Sequence, residues 1–174
     1  MATLVLGQTP PELEELLERR RLAGADRFDE VWEGVYHVVP APGHGHARLE
    51  IQVYVALEPL AREASLELTS QFNLGKSEHD FRVPDGGLHR PGAAELWHPT
   101  AALVIEIVSP GDKSLEKLPF YAGHGVDEVL LVDPGERTVT WLALRDGEYH
   151  AIQRSGLVAL GAAALAERLE WPQL

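Results

Sequence analysis

Two continuous apolar segments joined by a short amphipathic stretch constrain the fold of this chain more than any other feature. The segments are "ALVIEIVS" (102–109) and "VDEVLLVDP" (126–134), and "KSLEKLPFYAGHG" lies between them. The segments have the length and the β-branched content of strands, and the connecting stretch predicts a short helix that ends at glycine. A strand–helix–strand unit predicts a parallel pair, and strands that are apolar on both faces are typical of a covered sheet.

The rest of the chain predicts antiparallel strands and helices around that unit. Gly34 divides "FDEVWEGVYHVVP" into a hairpin or a bent strand, and "RDGE" joins two strands near the C-terminus. Leu49, Val53, Leu57 and Leu60 have helical spacing. Further strands are predicted in "SLELTSQF" and "DFRVPDGGL", a surface loop in "GLHRPGAAELWHPTA", and a short helix or ordered tail in "AALAERLEWPQL".

These elements indicate an α/β or α+β fold with a mixed central β-sheet flanked by helices. At 174 residues the chain is long enough for one domain with its own core, so we expect residues 1–174 to form a single domain. An amphipathic helix over residues 9–23, capped by Thr9 with Pro10 or Pro11 in its first turn and stopped at Gly24, is expected as an appendage to that domain.

Glu106 stands in the middle of the first apolar strand. Alternation places Val104, Glu106 and Val108 on one face of that strand, so the carboxylate points into an apolar layer or a cleft. An unpaired buried carboxylate costs several kcal/mol, so a partner is expected. Three interpretations stay open, namely a structural ion pair, with arginine for example, a metal ligand, and a general acid or base.

Asp85 is the second acid of interest. Alone, "PDGG" is a turn signal. Asp85 nevertheless ends one predicted strand, and Glu106 lies in the next buried strand. Two converging carboxylates with a nearby backbone carbonyl suit a hard divalent cation, Mg²⁺ or Mn²⁺.

Two lysines compete for a place beside these acids. Lys117 follows Glu106 by eleven residues, after a Ser-Pro-Gly turn, and Lys113 lies one helical turn earlier. Either lysine is also compatible with a solvated helix start, and Pro119 blurs the helical register. The sequence does not separate the two lysines.

Composition excludes several classes of site. The chain has no cysteine, which excludes disulfides, thiolate nucleophiles and cysteine-based metal centres and is typical of a cytoplasmic protein. The formal net charge of −12 disfavours broad electrostatic binding of nucleic acid, unless a local groove or a metal supplies positive charge. No apolar run predicts a membrane span or a signal peptide. A single Met and a single Asn are weakly typical of a thermophile.

The "GHGH" stretch at 43–46 suggests zinc, but neither H-x₃-H nor H-E-x-x-H occurs. A loop role is favoured, with His46 facing the cleft or the substrate. Tyr121 is expected in the core of its helix, with a hydroxyl that can reach the cleft.

The combined motifs resemble the Uma-type family of restriction endonucleases, part of the PD-(D/E)XK nuclease superfamily. The resemblance rests on Pro84-Asp85, "EIVSP" from Glu106, then Lys117 and Tyr121, and "GVDEVLLVDP" from Gly125; it extends upstream through "EVWEGVYHVVPAPGHGHARLE" and covers about 30–149. It implies a restriction-endonuclease-like core. By this resemblance Asp85 and Glu106 are metal-binding acids and the Ile107 carbonyl is a further ligand.

The sequence departs from the superfamily pattern at its lysine. That lysine normally stands two residues after the second acid, where this chain has Val108. The resemblance implies that Lys117, from the following helix, replaces it. The superfamily also often carries a helix-borne glutamate near the site, for which Glu30 and Glu50 are candidates.

The resemblance implies an endonuclease that hydrolyses DNA with Mg²⁺ or Mn²⁺ through Asp85, Glu106 and Lys117. One alternative is a module of the same fold that binds nucleic acid or a protein with little or no catalysis, which the acidic net charge favours. Another is a metal-dependent hydrolase of small phosphoesters. A homodimer or higher homo-oligomer is compatible with duplex cleavage, which often uses paired sites.

Overall fold

The computed structural model describes residues 2–5, 11–92, 96–109, 111 and 113–172. Its strands are β1 (Ala2–Val5), β2 (Glu30–Trp32), β3 (Val35–Val38), β4 (Glu67–Thr69), β5 (Asn73–Ser77), β6 (Asp80–Arg82), β7 (Gly86–His89), β8 (Trp97–His98), β9 (Leu103–Ile107), β10 (Glu128–Asp133), β11 (Thr138–Arg145) and β12 (Glu148–Ile152). Its α-helices are α1 (Pro11–Leu22), α2 (His44–Glu63), α3 (Leu118–Gly123) and α4 (Ala162–Ala166), and a 3₁₀ helix spans Ser114–Lys117. None of the helices in these ranges combines the length and the apolar character that crossing a membrane requires.

A mixed six-stranded sheet contains the segment that carries Glu106. Its strand order is β12-β11-β10-β9-β7-β4, with β9 and β10 parallel and the other neighbours antiparallel. Glu106 of β9 lies in register with Leu131 of β10. The predicted parallel pair and its helical crossover are confirmed, as is the mixed α and β fold.

The strands divide between two sheets, whereas the sequence predicts one central sheet. The second sheet has the order β1-β3-β2-β6-β5-β8. Its β2–β3 hairpin confirms the turn at Gly34, whose φ of +82° is a conformation that favours glycine. Residues 83–85 belong to no strand and separate β6 from β7. The two halves of "DFRVPDGGL" therefore join different sheets.

Two further predictions for this part of the chain are wrong. The strand β5 lies in "NLGKS", where no strand is predicted. The segment predicted as a surface loop contains the buried residues Leu88 and His89 of β7 and the short strand β8, and its residues 93–95 lie outside the described ranges. Cross-strand pairing overrides the weak local propensity of these segments.

Alternate residues of β9 pack into two different hydrophobic cores. Leu103, Ile105 and Ile107 pack in one apolar cluster with Leu49 and Val53 of α2. Val104 belongs to the other cluster, with Tyr121 of α3, as the predicted alternation requires. The sheet is therefore covered by α2 on one face and by α3 on the other, and Glu106 faces α3.

The N-terminal helix α1 matches the predicted helix in its described part. It begins at Pro11, ends at Leu22 and is followed by Gly24, while the predicted cap Thr9 and the alternative first-turn residue Pro10 lie outside the described residues. Arg20 joins α1 to the buried Asp29, with Nη2 2.7 Å from Oδ1. Asp29 also accepts a hydrogen bond of 2.7 Å from the Val39 amide, which follows β3.

Gly87→Ala is expected to destabilise the protein by about 1–3 kcal/mol through overpacking. A Cβ at Gly87 would lie 2.7 Å from the Leu103 carbonyl oxygen of the neighbouring strand and 2.7 Å from the Phe72 ring. Urea unfolding measures the loss. Gly123→Ala is the matched control, because a Cβ there meets no atom within 4 Å. Equal stability of the two variants would contradict the close approach.

The free energy of unfolding is expected to decrease as the pH is lowered, because of His89. Burial, and to a smaller extent His98, lower the pKa of His89 to about 4. The unfolded chain takes up a proton near pH 6.5, so the free energy of unfolding falls by on the order of 2 kcal/mol as the pH drops from about 6.5 towards 4. Urea unfolding at several pH values should show a shallower fall in His89→Gln, and an unchanged slope would refute the assignment.

Candidate active site

A cavity of about 250 Å³ lies where the carboxyl end of β9 meets the start of α2. Acidic and basic side chains from five separate segments line it, namely Glu30, His46, Asp85, Glu106 and Lys117. All five are candidates from the sequence. These five residues lie up to 87 positions apart in the chain, between Glu30 and Lys117.

Glu106 is almost completely buried, with 2% of its surface exposed, and its partner is Lys117 rather than an arginine. The Lys117 ammonium lies 3.1 Å from Oε1 and 3.4 Å from Oε2. Ser114 donates a hydrogen bond of 3.3 Å to Oε2, and the Tyr121 hydroxyl donates to Oε1. The predicted partner for the buried carboxylate is therefore present, and the helical crossover supplies it.

Lys117 is held between two carboxylates. Its Nζ also lies 2.9 Å from Oε1 of Glu30, and the exposed fractions of these two residues are 5% and 1%. Glu30 is fixed in turn by the Trp32 indole N–H at 2.7 Å and by the Val83 amide at 2.8 Å. Glu30 and Glu106 orient the ammonium by their fixed positions on strands of the two different sheets.

The buried group carries more negative than positive charge. Burial raises the pKa of Glu106 to about 8; Lys117 opposes this shift, while Asp85 and Glu30 add to it. Burial alone would lower the pKa of Lys117, but Glu106 and Glu30 outweigh burial and raise it above its ordinary value. The ammonium thus stays charged, and the excess negative charge around it can be offset either by a proton on Glu106 or by a further cation.

Asp85 is positioned by the backbone of β9 and by α2. Its Oδ2 accepts a hydrogen bond of 2.7 Å from the Ile107 amide, and its Oδ1 lies 3.0 Å from Nε2 of His46. The other ring nitrogen of His46 lies 3.1 Å from the Ser109 hydroxyl. The Tyr54 hydroxyl donates to the Asp85 carbonyl, so both the side chain and the backbone of Asp85 are anchored.

Glu50 lies one helical turn after His46 on α2 and approaches the same carboxylate. Ligand atoms of His46, Glu50 and Asp85 all lie within 4.8 Å of one another, the one such group found in the described ranges. Glu50 Oε1 is 2.9 Å from the Tyr54 hydroxyl and 2.6 Å from Nε2 of Gln71. Two carboxylates and one imidazole form a donor set that fits a divalent cation such as Mn²⁺ or Mg²⁺.

The structure separates the two candidate lysines. Lys113 lies outside the buried group, where its Nζ is 3.5 Å from Glu116 and 5.7 Å from the centre of the Trp32 ring. Residues Ser114–Lys117 form a 3₁₀ helix, so Lys113 and Lys117 do not lie one α-helical turn apart on a common face. The predicted metal ligation by Glu106 and by the Ile107 carbonyl stays a prediction, since Glu106 lies outside the group of three.

Sequence reasoning missed three polar residues of the site, namely Ser114, Tyr54 and Gln71. Tyr54 has a local signal, because it follows Glu50 by four residues and therefore shares its helical face. The same spacing joins His46 to Glu50, so an H-x₃-E search would have paired them. Ser114 and Gln71 have no local signal, because tertiary contacts alone bring them to Glu106 and Glu50.

A sheet with a parallel pair, flanked by helices and carrying clustered acids and a lysine at a strand end, defines a nuclease-like fold. The sequence matches the Uma2 family, described as "Putative restriction endonuclease", over residues 12–170, and the chain belongs to this family. The predicted family resemblance is confirmed.

A solved structure shows the same fold. A protein from Anabaena variabilis ATCC 29413, described as a "putative nuclease belonging to DUF820", aligns with a TM-score of 0.64 and 17% identity, over 80% of this chain and 90% of that one. The DrdV–DNA complex aligns with a TM-score of 0.40 and 19% identity, over 72% of this chain and 12% of that one, which is too remote to support an argument. No curated protein matches the sequence.

Lys117→Met is expected to destabilise the protein by about 3 kcal/mol, because it leaves two buried carboxylates without their cation. Adding Glu106→Gln to Lys117→Met should recover part of the loss. Lys113→Met is the matched control and should cost less than about 0.5 kcal/mol. Urea unfolding tests all three, and an equal cost for the two lysine variants would contradict the buried ion pair.

Proposed function

We propose that this protein is a divalent-metal-dependent endonuclease that hydrolyses DNA phosphodiester bonds, with Asp85, Glu106 and Lys117 as its catalytic residues. The observation that carries the proposal is the buried Lys117, held between Glu30 and Glu106 in a cavity that Asp85 also lines. Membership of the Uma2 family supports the reaction class.

Asp85 is the ligand common to the two donor sets that we consider. One set is implied by family resemblance and contains Asp85, Glu106 and the Ile107 carbonyl. The other is the cluster of His46, Glu50 and Asp85. We propose that Mg²⁺ or Mn²⁺ binds at Asp85, with Glu106 as the second acid and with His46 and Glu50 as further donors. The bound cation would offset phosphate charge and would acidify a water molecule.

The residues of the chain have separate tasks in this proposal. Lys117 contacts three carboxylate oxygens, and the longest of these contacts, 3.4 Å to Oε2 of Glu106, is the one that a phosphate oxygen with developing negative charge would replace. Glu106 is the second metal-binding acid and also the counter-charge that holds the Lys117 ammonium in place. Tyr121 stays a neutral donor to Glu106, because burial and the neighbouring carboxylate of Glu106 raise its pKa well above its usual value. His46 and the Ile107 amide orient Asp85.

The test is cleavage of plasmid and oligonucleotide DNA with Mg²⁺ or Mn²⁺. Asp85→Asn, Glu106→Gln and Lys117→Arg are expected to lower the rate by about 100-fold or more, since the first two remove a metal-binding acid and the third displaces the positive charge from its position in the site. Glu116→Gln and Lys113→Arg are matched controls outside the buried group and should retain the parental rate. Calorimetric titration with Mn²⁺ should show weaker binding in Asp85→Asn.

Parental rates in all three site variants, with their folding verified by circular dichroism, would show that the site is wrongly assigned. Lys117→Arg keeps the positive charge, so a loss of activity in that variant would reflect geometry rather than the missing cation.

A second candidate function is a nuclease-fold module that binds nucleic acid or a protein partner without turnover. The observation in its favour is that Lys117 and Glu106 already satisfy one another in the buried group, in a chain of net charge −12. Absence of both divalent-ion binding and DNA cleavage would favour this function.

The cytoplasmic location, the thermophilic origin, the single domain and the homo-oligomer stay predictions from the sequence.

A further inference from the structure

The cavity that leads to Lys117 is small in relation to a DNA duplex. Its volume of about 250 Å³ lies just below the range of about 300–1,000 Å³ found for pockets that hold small molecules. Lys117, Glu106 and Glu30 have exposed fractions of only 5%, 2% and 1%. A phosphate of the DNA must therefore enter the cavity before it can contact the Lys117 ammonium.

The lining of the cavity combines apolar and charged residues. Phe28 and the stretch 39–42 supply the apolar part of the wall, whereas the acids and Lys117 supply the charged groups. Asp29 connects Phe28 to the stretch 39–42. It follows Phe28 directly in the chain, and its carboxylate accepts a hydrogen bond from the Val39 amide. An apolar wall beside a polar interior is complementary to a nucleotide, whose base and sugar are separate from its phosphate.

Phe28 has the surroundings of a base-stacking residue. Its ring is half-buried, lines the cavity and has the exposed guanidinium of Arg27 at 4.7 Å from its centre. Arg27 covers one face of the ring, so a base would stack on the other face, as bases stack on aromatic rings in proteins that bind single-stranded nucleic acid. Arg27 adds a positive charge at a place where a neighbouring phosphate could lie.

The charge around the cavity is poorly suited to a long duplex. Among the described lining residues Lys117 is the one lysine or arginine, beside the acids Glu30, Asp85 and Glu106. Specific duplex binding commonly neutralises about 6–10 phosphates with lysine and arginine. A recess with one permanent positive charge is sufficient for one phosphate at a time.

From these observations we infer that the site takes one unpaired nucleotide, stacked on Phe28, and that its substrate is single-stranded DNA or an unpaired segment within a duplex. The inference rests on the proposed nuclease function and names its substrate class. A nucleotide in a regular duplex would have to leave its stack and its partner to bring its phosphate into the recess, whereas a nucleotide in a single strand is free of both constraints.

The experiment compares one labelled DNA strand, its blunt duplex and a duplex with a short unpaired gap. Cleavage is followed with Mn²⁺, and binding is followed separately by fluorescence anisotropy with Ca²⁺, with the DNA checked afterwards for integrity. We expect cleavage of the single strand and of the gap to be at least about tenfold faster than cleavage of the blunt duplex. We expect binding to follow the same order.

Substitutions at Phe28 test the stacking contact. Phe28→Ala is expected to weaken single-strand binding by about 5- to 100-fold, and Phe28→Tyr should retain it. Phe81→Ala is the matched control, because Phe81 is equally half-buried but packs on Trp97 away from the cavity. An effect of Phe28→Ala no larger than that of Phe81→Ala would overturn the inference.

The outcomes separate the two proposals. The inference would be overturned if the blunt duplex were cleaved at least as fast as the single strand and bound at least as tightly. The nuclease function would then still stand. Binding selective for single strands without cleavage would overturn the nuclease function and support the inference. Absence of both cleavage and binding would overturn both.

Discussion

The buried ammonium of Lys117 is the interaction on which the rest of the site depends. Glu30 belongs to one sheet and Glu106 to the other, and each carboxylate needs a cation because burial deprives it of water. Lys117 serves both and so fixes the start of the crossover helix against the two sheets. The same contact holds the ammonium in a cavity that Asp85 also lines, so charge compensation also places Lys117 near Asp85.

The two cores explain why this arrangement can be rigid. Alternate residues of β9 pack against α2 on one face and α3 on the other, so the strand that carries Glu106 is held from both sides. The helix α2 also supplies His46 and Glu50, and the turn before α3 supplies Lys117. Glu106, His46 and Glu50 are therefore carried by elements that apolar packing already immobilises, whereas hydrogen bonds hold Asp85 in the break between β6 and β7.

Much of the fold and most of the candidate residues could be predicted from the sequence. The parallel pair, the β2–β3 hairpin and the α2 helix follow from local periodicity and turn residues, which act over a few positions. Division of the strands into two sheets could not be predicted, because "DFRVPDGGL" contains no signal for which sheet its halves join. Strand β8 and Gln71 likewise depend on partners that are distant in the chain.

The choice between Lys117 and Lys113 shows where sequence and tertiary structure divide. By itself the sequence determined that a buried strand carries a carboxylate, that this carboxylate needs a partner, and that two lysines follow it in the chain. Only the tertiary structure decided which lysine serves, that Glu30 shares it, and that His46 and Glu50 stand beside Asp85. The physical reason is that burial and periodicity are properties of neighbouring residues, whereas the position of an ammonium or an imidazole depends on how separate elements pack.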